Sequence, residues 1–534
     1  MKYNITQYDK DLLTQESVDY RYRLFIVGKD RNVLDTLYGI QSIGTYNIDS
    51  ESDARRTVSF TLYLDECYRN TSLESRLADW IGCDFELQIG IYSNRDGDYV
   101  WYPCGYYLIT DANTTYNSLD NSLVCSLSDW YSKFNGARNG QIGGAPTISI
   151  PNEDENGQPV TIKQTTEGIL KSEAKIENYI VDDIGQFYGM PQNNPDYEQY
   201  RNNYPAWNQQ PYDLEYQAGC TVSDILEEIR SFYPNCEMYF DVYGNFCFQL
   251  IPSCDHDPIL LDDHFLQSIL VADSLEQVQY DIANIKNITE IFGADYDVDR
   301  FSSLCSTSSD TYTLSLEDYT SYSSGDIIAF VPDTANKDSM KISVNSLPAI
   351  PLYGEYTTIY VDEGTLSPNK TYVFQVKKVD GTYVAYFLGQ YQPHALCVLT
   401  NDAGDSKYSK SYFAEKYNCD ERNITLRVEP DSPFSVQRLG EIPDVKSGDE
   451  FENIISDSVA VENSIYYNRI SSSVHDVVTI ATKMIPFLDV NVKVEYQKQQ
   501  EDNPGQYIIK SVSNNTDSFI SNITMYRFYP LYYV

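Results

Sequence analysis

The strongest constraint on the fold is a series of short runs near the N-terminus in which polar and apolar residues alternate. RTVSFTLYL (56–64) and SLVCSLSDW (122–130) have this pattern, which is the period of a β-strand with one buried face. Between them, CDFELQIGIYS and YVWYPCGYYLIT flank the turn residues 94–98 and predict a β-hairpin. We therefore expect residues 1–135 to form a β-barrel or sandwich.

Gly105 lies inside the second strand of that hairpin. Glycine weakens the interior of a strand, and where it occurs it usually marks a bulge, a bend or a close approach of the backbone. We expect Gly105 to let this strand bend where the sheet curls closed.

Composition agrees with a mainly β chain that has real cores. Hydrophobic residues make up 42% of the sequence and aromatic residues 14%, which argues against a disordered chain. The 48 tyrosines favour strands, because tyrosine suits a half-buried surface. At 534 residues the chain is too long for one ordinary core, so about two to four domains are expected.

The formal net charge of −40 limits the partners of the protein. A surface this acidic repels nucleic acid and anionic lipid, so functions that bind phosphate are disfavoured. Solubility alone is the ordinary explanation of such a charge.

No segment of the sequence has the pattern of a targeting signal or a membrane span. The N-terminal MKYNITQYDKDLLTQ lacks an apolar stretch and a small-residue cleavage site, and no window approaches about eighteen apolar residues. The eleven cysteines lack metal-site spacing, and we expect them to be reduced thiols in β cores.

Two segments follow the first barrel. Residues 136–219 are rich in Asn, Gln, Gly and Pro and are predicted to be a loop-rich extension with one short helix, TTEGILKSEAKI. Residues 220–308 begin with TVSDILEEIRSFYP, a helix with a capping-box start. This helix should pack on the hairpin EMYFD–VYG–NFCFQLIP, and the whole segment should form part of a second half of the protein.

Two more segments complete the chain. Residues 309–395 are predicted to be an inserted small β module, in which Asp380-Gly381 is a hairpin turn. Residues 396–534 contain a helical pattern over 454–465 and three closing strand runs, VVTIATKMIPFLDVNVKVEY, GQYIIKSVSNN and SFISNITMYRFYP. The expected fold class is mainly β with minor α, in several domains.

Candidate metal sites are weak. The densest group runs from Cys254 to His264 and holds two of the four histidines, but it lacks an HxxxH or HExxH arrangement, so a solvated acidic turn is the better interpretation. DYDVD, with its three aspartates, resembles a calcium loop only in part. Arg300 and Ser306 stand where that loop needs glycine and glutamate. The aspartates are Asp295, Asp297 and Asp299.

Catalysis has no support at the level of residues. The 78 acidic residues make carboxylate pairs inevitable, so their abundance does not identify a glycosidase, and the GxSxG, P-loop, GxGxxG and Cys/His nucleophile patterns are absent. A tyrosine and tryptophan cluster could stack on sugar rings, but anchoring of a loop is preferred. Its members are Tyr200, Tyr204, Trp207 and Tyr212. We predict no enzyme, no cofactor and no catalytic, cofactor-binding or metal-binding residue.

Several stretches together resemble the tail hub proteins of tailed bacteriophages, also called baseplate hub or tail-associated proteins. The N-terminal strand series is similar to the opening barrel of that family, with its glycine at Gly105 and its closing Asp129 and Lys133. The helix and D-x-x-G hairpin of 220–250 and the last three strand runs are similar to the corresponding family elements. The resemblance covers about 1–135, 220–300 and 396–534.

The resemblance implies a homotrimer in which each subunit contributes two similar hub-type β-barrels. Such a ring joins the tail tube to the tip, contacts distal tail or tube proteins and tip or fibre proteins, and lets DNA pass without tight binding. The expected location is the tail tip of the virion, after synthesis in the host cytoplasm. The charge further suggests a channel lined with Asp and Glu, with Lys and Arg at subunit contacts and the outer rim.

Two other functions remain open from the sequence: a carbohydrate-binding or receptor-binding tail tip protein, and a tail-associated cell-wall hydrolase. A receptor-binding protein should show fibrous or repeated C-terminal architecture, and no repeat of fixed period is evident. A hydrolase needs a catalytic constellation. The hub interpretation predicts instead two related barrels on either side of the inserts.

Overall fold

The structure is a computed structural model. It describes residues 3–528 except for 29–30, 64–72, 117–120, 137, 145, 183–209, 211–212, 232–235, 255–256, 272–275, 295–297, 299, 303, 355–356, 369, 402–405, 449–450, 452–453 and 455–456.

The chain is mainly β and multi-domain, as its patterning predicts. The strands are β1 (Tyr20–Val27), β2 (Val33–Thr36), β3 (Ile40–Ile43), β4 (Tyr46–Asp49), β5 (Arg56–Tyr63), β6 (Asp84–Ser93), β7 (Asp98–Tyr116), β8 (Asn121–Asp129), β9 (Thr147–Ile150), β10 (Tyr179–Val181), β11 (Leu214–Gln217), β12 (Cys236–Phe240), β13 (Phe246–Leu250), β14 (Gln277–Asp281), β15 (Ile288–Phe292), β16 (Arg300–Ser302), β17 (Cys305–Ser308), β18 (Thr311–Leu314), β19 (Ile327–Phe330), β20 (Lys341–Val344), β21 (Ile350–Tyr353), β22 (Tyr372–Val379), β23 (Thr382–Gln390), β24 (His394–Thr400), β25 (Ile424–Val428), β26 (Pro443–Lys446), β27 (His475–Lys483), β28 (Lys493–Tyr496), β29 (Gly505–Asn515) and β30 (Ile520–Tyr526).

Short helices are placed between the strands. They are α1 (Gln7–Leu13), α2 (Leu73–Ile81), α3 (Ile162–Ser172), α4 (Val222–Ser231), α5 (Asp263–Ser268), α6 (Lys410–Tyr417), α7 (Val436–Leu439) and α8 (Asp457–Ser471). No helix in the described part of the chain is long and apolar enough to cross a membrane.

The first strand unit, β1 to β8, is a nearly closed barrel. Its strands pair antiparallel in the order β1–β6–β7–β8–β5. β2 pairs with β1 and β3 pairs with β5, so one segment of chain bridges the two end strands. β4 follows that segment and also pairs with β5.

Gly105 bends a strand of this barrel, as expected. The register slips beside it, because Leu87 of β6 pairs with Gly105 while the next residue, Gln88, pairs with Pro103. Cys104 is therefore the extra residue of a bulge, and Gly105 has a φ of 115°. L side chains rarely adopt that conformation, which explains why glycine stands there.

The second strand unit has the antiparallel order β27–β30–β29–β28. Residues 260–271, which include α5, close it. Leu261 bridges Val494 of β28, and Leu270 bridges Thr482 of β27. β14 then pairs antiparallel with β27. The segment that closes this unit therefore comes from more than 200 residues before its main strands.

One hydrophobic core runs through both units. It includes Phe60 and Phe85 from the first unit and Ile480 from the second. The two units are in direct contact where the ring of Tyr20, in β1, stacks on Phe519, the residue before β30, with a centroid distance of 4.9 Å. The two units therefore fold against each other, and neither has a separate interior.

A second core lies under the elements that follow the first barrel. α4 packs on the β12–β13 hairpin, as predicted, through Ile225 and Ile229 against Phe240 and Phe246. The capping box at Thr221 is also confirmed, since Thr221 Oγ1 accepts the Asp224 N–H at 3.1 Å and Asp224 returns the bond at 2.7 Å. β10 adds a parallel strand to this hairpin, and β9 pairs with β11.

Two helix boundaries differ from the sequence expectation. α3 begins at Ile162, before the predicted TTEGILKSEAKI, because Thr161 and Gln164 form a capping box. α8 covers Asp457–Ser471 and so continues beyond the predicted pattern. The long run VVTIATKMIPFLDVNVKVEY is two strands, β27 and β28, separated by residues 484–492. Pro486 lies in that interruption and has no N–H to donate to a ladder.

The inserted β module is an eight-stranded sheet with its own core. Its strands run from Arg300 to Gln390 in the order β16–β19–β22–β23–β21–β20–β18–β17. The predicted turn at Asp380 and Gly381 is confirmed, and both residues have positive φ, as this tight hairpin requires.

A four-stranded sheet, β25–β24–β15–β26, carries the module. The chain leaves this sheet after Gly293 and returns at Pro393, where the Gly293 N–H donates to the Pro393 carbonyl at 2.7 Å. The insertion therefore begins and ends at neighbouring points of adjacent strands.

Candidate functional site

Several of the residues considered for metal binding have structural roles. Asp262 caps α5 by accepting the Phe265 N–H at 2.9 Å, and Asp257 accepts the Ser253 N–H at 2.6 Å. Cys254 is buried against Phe528. Across the described residues, no group of three or more His, Cys, Asp and Glu side chains could hold a metal ion.

A second set of candidates lies outside the described residues. These are His256 with Asp255, the aspartates Asp295, Asp297 and Asp299, and the aromatic cluster Tyr200, Tyr204, Trp207 and Tyr212. Arg300 and Ser306, by contrast, belong to strands β16 and β17 of the module.

The feature that sets this molecule apart is an internal repeat of one strand unit, whose matching residues the sequence analysis did not find. GYYLI (105–109) in β7 and GQYII (505–509) in β29 share a glycine, a tyrosine and an isoleucine at matching positions. Tyr107 and Tyr507 are both fully buried in the common core. The two strands also hold the same place in the sheet. β7 is the third strand in the order β5–β8–β7, and β29 is the third in the order β27–β30–β29.

The repeat extends to an irregularity in the sheet. β7 has a bulge at Thr110 where it pairs with β8, and β29 has a bulge at Lys510 where it pairs with β30. Each bulge directly follows the shared isoleucine. A bulge disturbs the ladder and is a specific device, so its presence at matching positions makes the equivalence of the two units structural as well as topological.

Paired rows of residues show which positions correspond. The row across the first unit is Ile109, Leu127 and Val58, and the row across the second is Ile509, Met525 and Val478. In the first unit, Thr57, the residue before Val58, pairs with Asn47 of β4. In the second, Val477, the residue before Val478, pairs with Gln279 of β14. β4 and β14 are therefore equivalent strands.

The two units join edge to edge. β4 belongs to the first unit through its pairing with β5, and its other edge pairs antiparallel with the outer half of β29 in the second unit. Ile48 lies opposite Val512, and both are buried. Beside them, the Ser513 hydroxyl donates to the Asn47 side-chain oxygen at 2.8 Å. We call this contact the β4·β29 junction.

A buried cluster of charges ties the first unit to the rest of the molecule. Arg56 of β5 forms an ion pair with Asp489 at 2.6 Å and donates to the Phe240 carbonyl at 2.5 Å. Neighbouring Arg55 pairs with Glu237 of β12, which also accepts a hydrogen bond from Asn491 at 2.6 Å. Residues 55–56, 237–240 and 489–491, which are far apart in the sequence, therefore meet in this cluster.

The electrostatics of this cluster follow from its burial. Burial alone would lower the pKa of Arg56, but the nearby Asp489 carboxylate outweighs that effect and raises it. Burial raises the pKa of Asp129 to about 6, although the Arg56 N–H donates to this carboxylate at 2.9 Å. Removing one member of such a cluster leaves a buried charge unpaired, which is more costly than the pair is stabilising.

The face of the joined sheet that is turned away from the core carries mainly hydroxyl and amide side chains on its central strands. One registered row across five strands contains Asn522, Ser513, Asn47, Thr57 and Ser128. Neighbouring positions on that face are also hydroxyl-bearing, namely Ser59, Thr61, Ser126, Thr479, Ser511 and Thr524.

Charged side chains are sparse on the central strands of this face, whereas Asp111 of β7 and Asp281 of β14 lie on the same face at its two ends. Asp49, Lys483 and Lys510 are the Asp, Glu, Lys and Arg residues of β4, β5, β8, β27, β29 and β30 that are not buried. Lys510 is further neutralised by Glu51, at 2.7 Å. The acidic residues that give the chain its charge are therefore concentrated on other surfaces.

Two of the strand edges that stay unpaired among the described residues hold equivalent places in the two units. β14 pairs with β27 on one side, and no described strand lies on the other. The outer half of β7, residues 111–116, pairs with β8, and no described strand covers its opposite edge. Tyr280 and Ile282, on and after β14, are 53% and 69% exposed.

Comparison with known proteins gives a partial family match. A family model described as a domain of unknown function (DUF5048) matches residues 431–532, which contain β27 to β30 of the second unit. No curated protein matches the chain.

Three of the similar solved structures are described as tail proteins. The 43 kDa tail protein of prophage MuSo2 from Shewanella oneidensis is 10% identical over 96% of this chain and 99% of its own, with a TM-score of 0.43. A tail protein from Neisseria meningitidis MC58 is 8% identical over 95% and 96%, with a TM-score of 0.42. Prophage tail protein gp18 from Listeria monocytogenes EGD-e is 7% identical over 95% and 94%, with a TM-score of 0.36.

Proposed function

We propose that this protein is the structural tail hub of a bacteriophage virion, and that three copies form a ring that joins the tail tube to the tip and passes DNA. The observation that carries the proposal is the repeat of one strand unit within the chain, joined edge to edge at the β4·β29 junction. A chain with two equivalent units can present six similar units in a ring of three copies, which suits a connection between sixfold and threefold structures.

The partners follow from that position. The ring contacts other copies of itself, tube or distal tail proteins on one side, and tip or fibre proteins on the other, at the tail tip of the virion. The sequence expectation divides each copy into a first barrel (1–135), a loop-rich extension (136–219), a helix and hairpin segment (220–308), a module (309–395) and a second barrel (396–534). The proposal keeps this division but takes the module as 294–392, because β16 and β17 pair within its sheet and β24 pairs with β15 and β25. It treats the extension and the module as additions outside the ring.

The described sheet surface changes how DNA passage is explained. A carboxylate-lined channel was expected from the net charge, but the sheet face away from the core carries mainly hydroxyl and amide groups. We assign this face to the channel. Each Lys or Arg on such a face would add a phosphate contact and a salt-dependent gain in affinity, so its near absence lets the duplex pass without being held.

Two measurements test the proposal. Sedimentation equilibrium of the purified chain should give three times the mass of one chain, and a low-salt binding assay with duplex DNA should show no saturable binding. A chain that stays monomeric at all concentrations would contradict the ring. Tight DNA binding by the trimer would contradict the passive channel while leaving the ring intact.

A further inference from the structure

We propose that neighbouring copies join by pairing β14 of one copy with the outer half of β7 of the next, in the register that β4 and β29 use within one chain. The inference rests on the ring proposed above and identifies the surface that closes it. It follows from the equivalence of the two units. Within one chain, β4 of the first unit pairs with β29 of the second, and the equivalent strands β14 and β7 do not pair with each other.

The first step is the equivalence of the donor strands. β4 and β14 pair with corresponding positions of β5 and β27. Ile48 pairs with Arg56, and Tyr280 pairs with Asp476, which occupies the same place in the second unit. Both partners are buried and ion-paired, Arg56 with Asp489 and Asp476 with Lys498.

The second step is the equivalence of the acceptor strands. β29 offers residues 511–514 to β4, immediately after the bulge at Lys510. β7 offers residues 111–114 immediately after the bulge at Thr110. In the first case β4 covers the edge, whereas in the second no described strand does. The described part of one chain therefore contains one satisfied junction and the two separated halves of another.

The register of the second junction can be written from the first. In the β4·β29 junction the pairs are Asp49 with Ser511, Ile48 with Val512, Asn47 with Ser513 and Tyr46 with Asn514. The corresponding pairs between copies are Asp281 with Asp111, Tyr280 with Ala112, Gln279 with Asn113 and Val278 with Thr114.

The side chains at these positions suit the contact. Ile48 is 1% exposed in the formed junction, whereas its counterpart Tyr280 is 53% exposed and would be covered by Ala112 of the next copy. Gln279 and Asn113 would meet as two amides, which can hydrogen-bond as Asn47 and Ser513 do. Burial of the exposed ring of Tyr280 contributes apolar area in the same step.

The backbone offers a further bond beyond the last pair. Within the chain, the Ser50 N–H donates to the Lys510 carbonyl at 3.0 Å. Its counterpart between copies joins the Ile282 N–H to the Thr110 carbonyl. Ile282 is 69% exposed, so closing the ring would also cover this side chain.

One pair opposes the contact and supplies a test. Asp281 and Asp111 would lie directly opposite each other, and like charges in that position disfavour pairing. Each carboxylate already accepts a hydrogen bond from a nearby asparagine side chain, Asn284 at 2.8 Å and Asn113 at 2.6 Å. Asp111→Asn removes the repulsion, so this variant should form the trimer at lower protein concentration than the wild type.

Cysteine pairs test the register directly. In oxidising conditions, Gln279→Cys with Asn113→Cys should produce covalent dimers and trimers on a non-reducing gel, because cross-strand Cα atoms are about 4.5–5.5 Å apart, within reach of a disulfide. The control pair Gln279→Cys with Thr115→Cys shifts one partner along the strand and should cross-link far less. The double variant Asn47→Cys/Ser513→Cys should form a disulfide within one chain, so the chain should still run at the mass of a monomer on the same gel.

The outcomes separate the two proposals. A trimer whose Gln279→Cys/Asn113→Cys pair does not cross-link above the control, and which Asp111→Asn does not strengthen, overturns this interface and leaves the ring standing. A wild-type chain that is monomeric in sedimentation overturns both. Selective cross-linking of the registered pair supports both.

Discussion

At the scale of single residues, the same small set of side chains builds both units. In each unit a buried tyrosine lies against the glycine two positions before it. A Cβ on Gly105 would lie 3.4 Å from the Tyr107 hydroxyl, and one on Gly505 would lie 2.9 Å from the hydroxyl of Tyr507. The glycines therefore serve packing in both units, and Gly105 has in addition a backbone conformation that favours glycine.

Replacing Gly105 should destabilise the protein. Gly105→Ala places a side chain at a φ of 115°, and such strain costs about 1–3 kcal/mol. Urea unfolding should show a lower free energy of unfolding by about that amount. Gly143→Ala is the matched control, because an added Cβ there meets no atom within 4 Å. Equal stability of the two variants would contradict the role given to Gly105.

The buried charge cluster should make stability depend on pH through Asp129. Its pKa is raised by burial from 3.8 to about 6 in the folded protein. Because folding raises the pKa of Asp129, this group stabilises the folded state most at a pH below its pKa in the unfolded chain. That contribution to the free energy of unfolding is lost as the pH rises through the pKa of the folded protein. The free energy of unfolding of the wild type relative to Asp129→Asn should therefore fall by about 1–3 kcal/mol between pH 4 and pH 7. A difference that is constant over this range would show that Asp129 does not titrate as described.

At the scale of elements, local pattern was informative and long-range pairing was not. Strict alternation predicted β5 and β8, and turn residues predicted the β6–β7 and β22–β23 hairpins, because these signals depend on neighbours in sequence. The closure of the second unit by 260–271 could not be predicted in this way. It depends on partners more than 200 residues away, and Leu261 and Leu270 contribute single bridges rather than a strand pattern.

Two related barrels were expected from the family resemblance, but the residues that match between them escaped the sequence analysis for a similar reason. Only the pattern G-x-Y-[LI]-I is shared by 105–109 and 505–509, and five positions in so long a chain do not stand out. The bulges at Thr110 and Lys510, which establish the equivalence, have no pattern of their own in the sequence. Geometry was needed to find the junction and, with it, the candidate site.

The inserted module should be removable. Its buried core residues lie between Tyr312 and Ala385, and its contacts with the rest of the chain are mainly polar, such as the Lys377–Glu153 pair at 3.0 Å. Replacing residues 294–392 with Asn-Gly would turn β15 and β24 into a simple hairpin, because Gly293 and Pro393 are already hydrogen-bonded. The shortened chain should stay soluble and form the same trimer, as judged by sedimentation. Aggregation of the shortened chain alone would show that the module supports the main fold.

At the scale of the whole molecule, the distribution of charge matters more than its total. A net charge of −40 suggested a channel of carboxylates, whereas the open face of the joined sheet carries mainly Ser, Thr and Asn, together with Asp49, Asp111 and Asp281. A neutral face weakens DNA binding by removing phosphate contacts, and the acidic surfaces elsewhere keep the particle soluble. In this account, the repeat, the junction and the neutral face are three parts of one ring.

A three-dimensional reconstruction of the assembled protein by electron cryo-microscopy tests this account most directly. We predict three copies with six equivalent strand units around the axis, a β14 strand beside β7 of the next copy, and Thr57 and Ser128 facing the channel. A ring with the hydroxyl face turned outward, or an assembly in which β14 and the outer half of β7 remain apart, would contradict it.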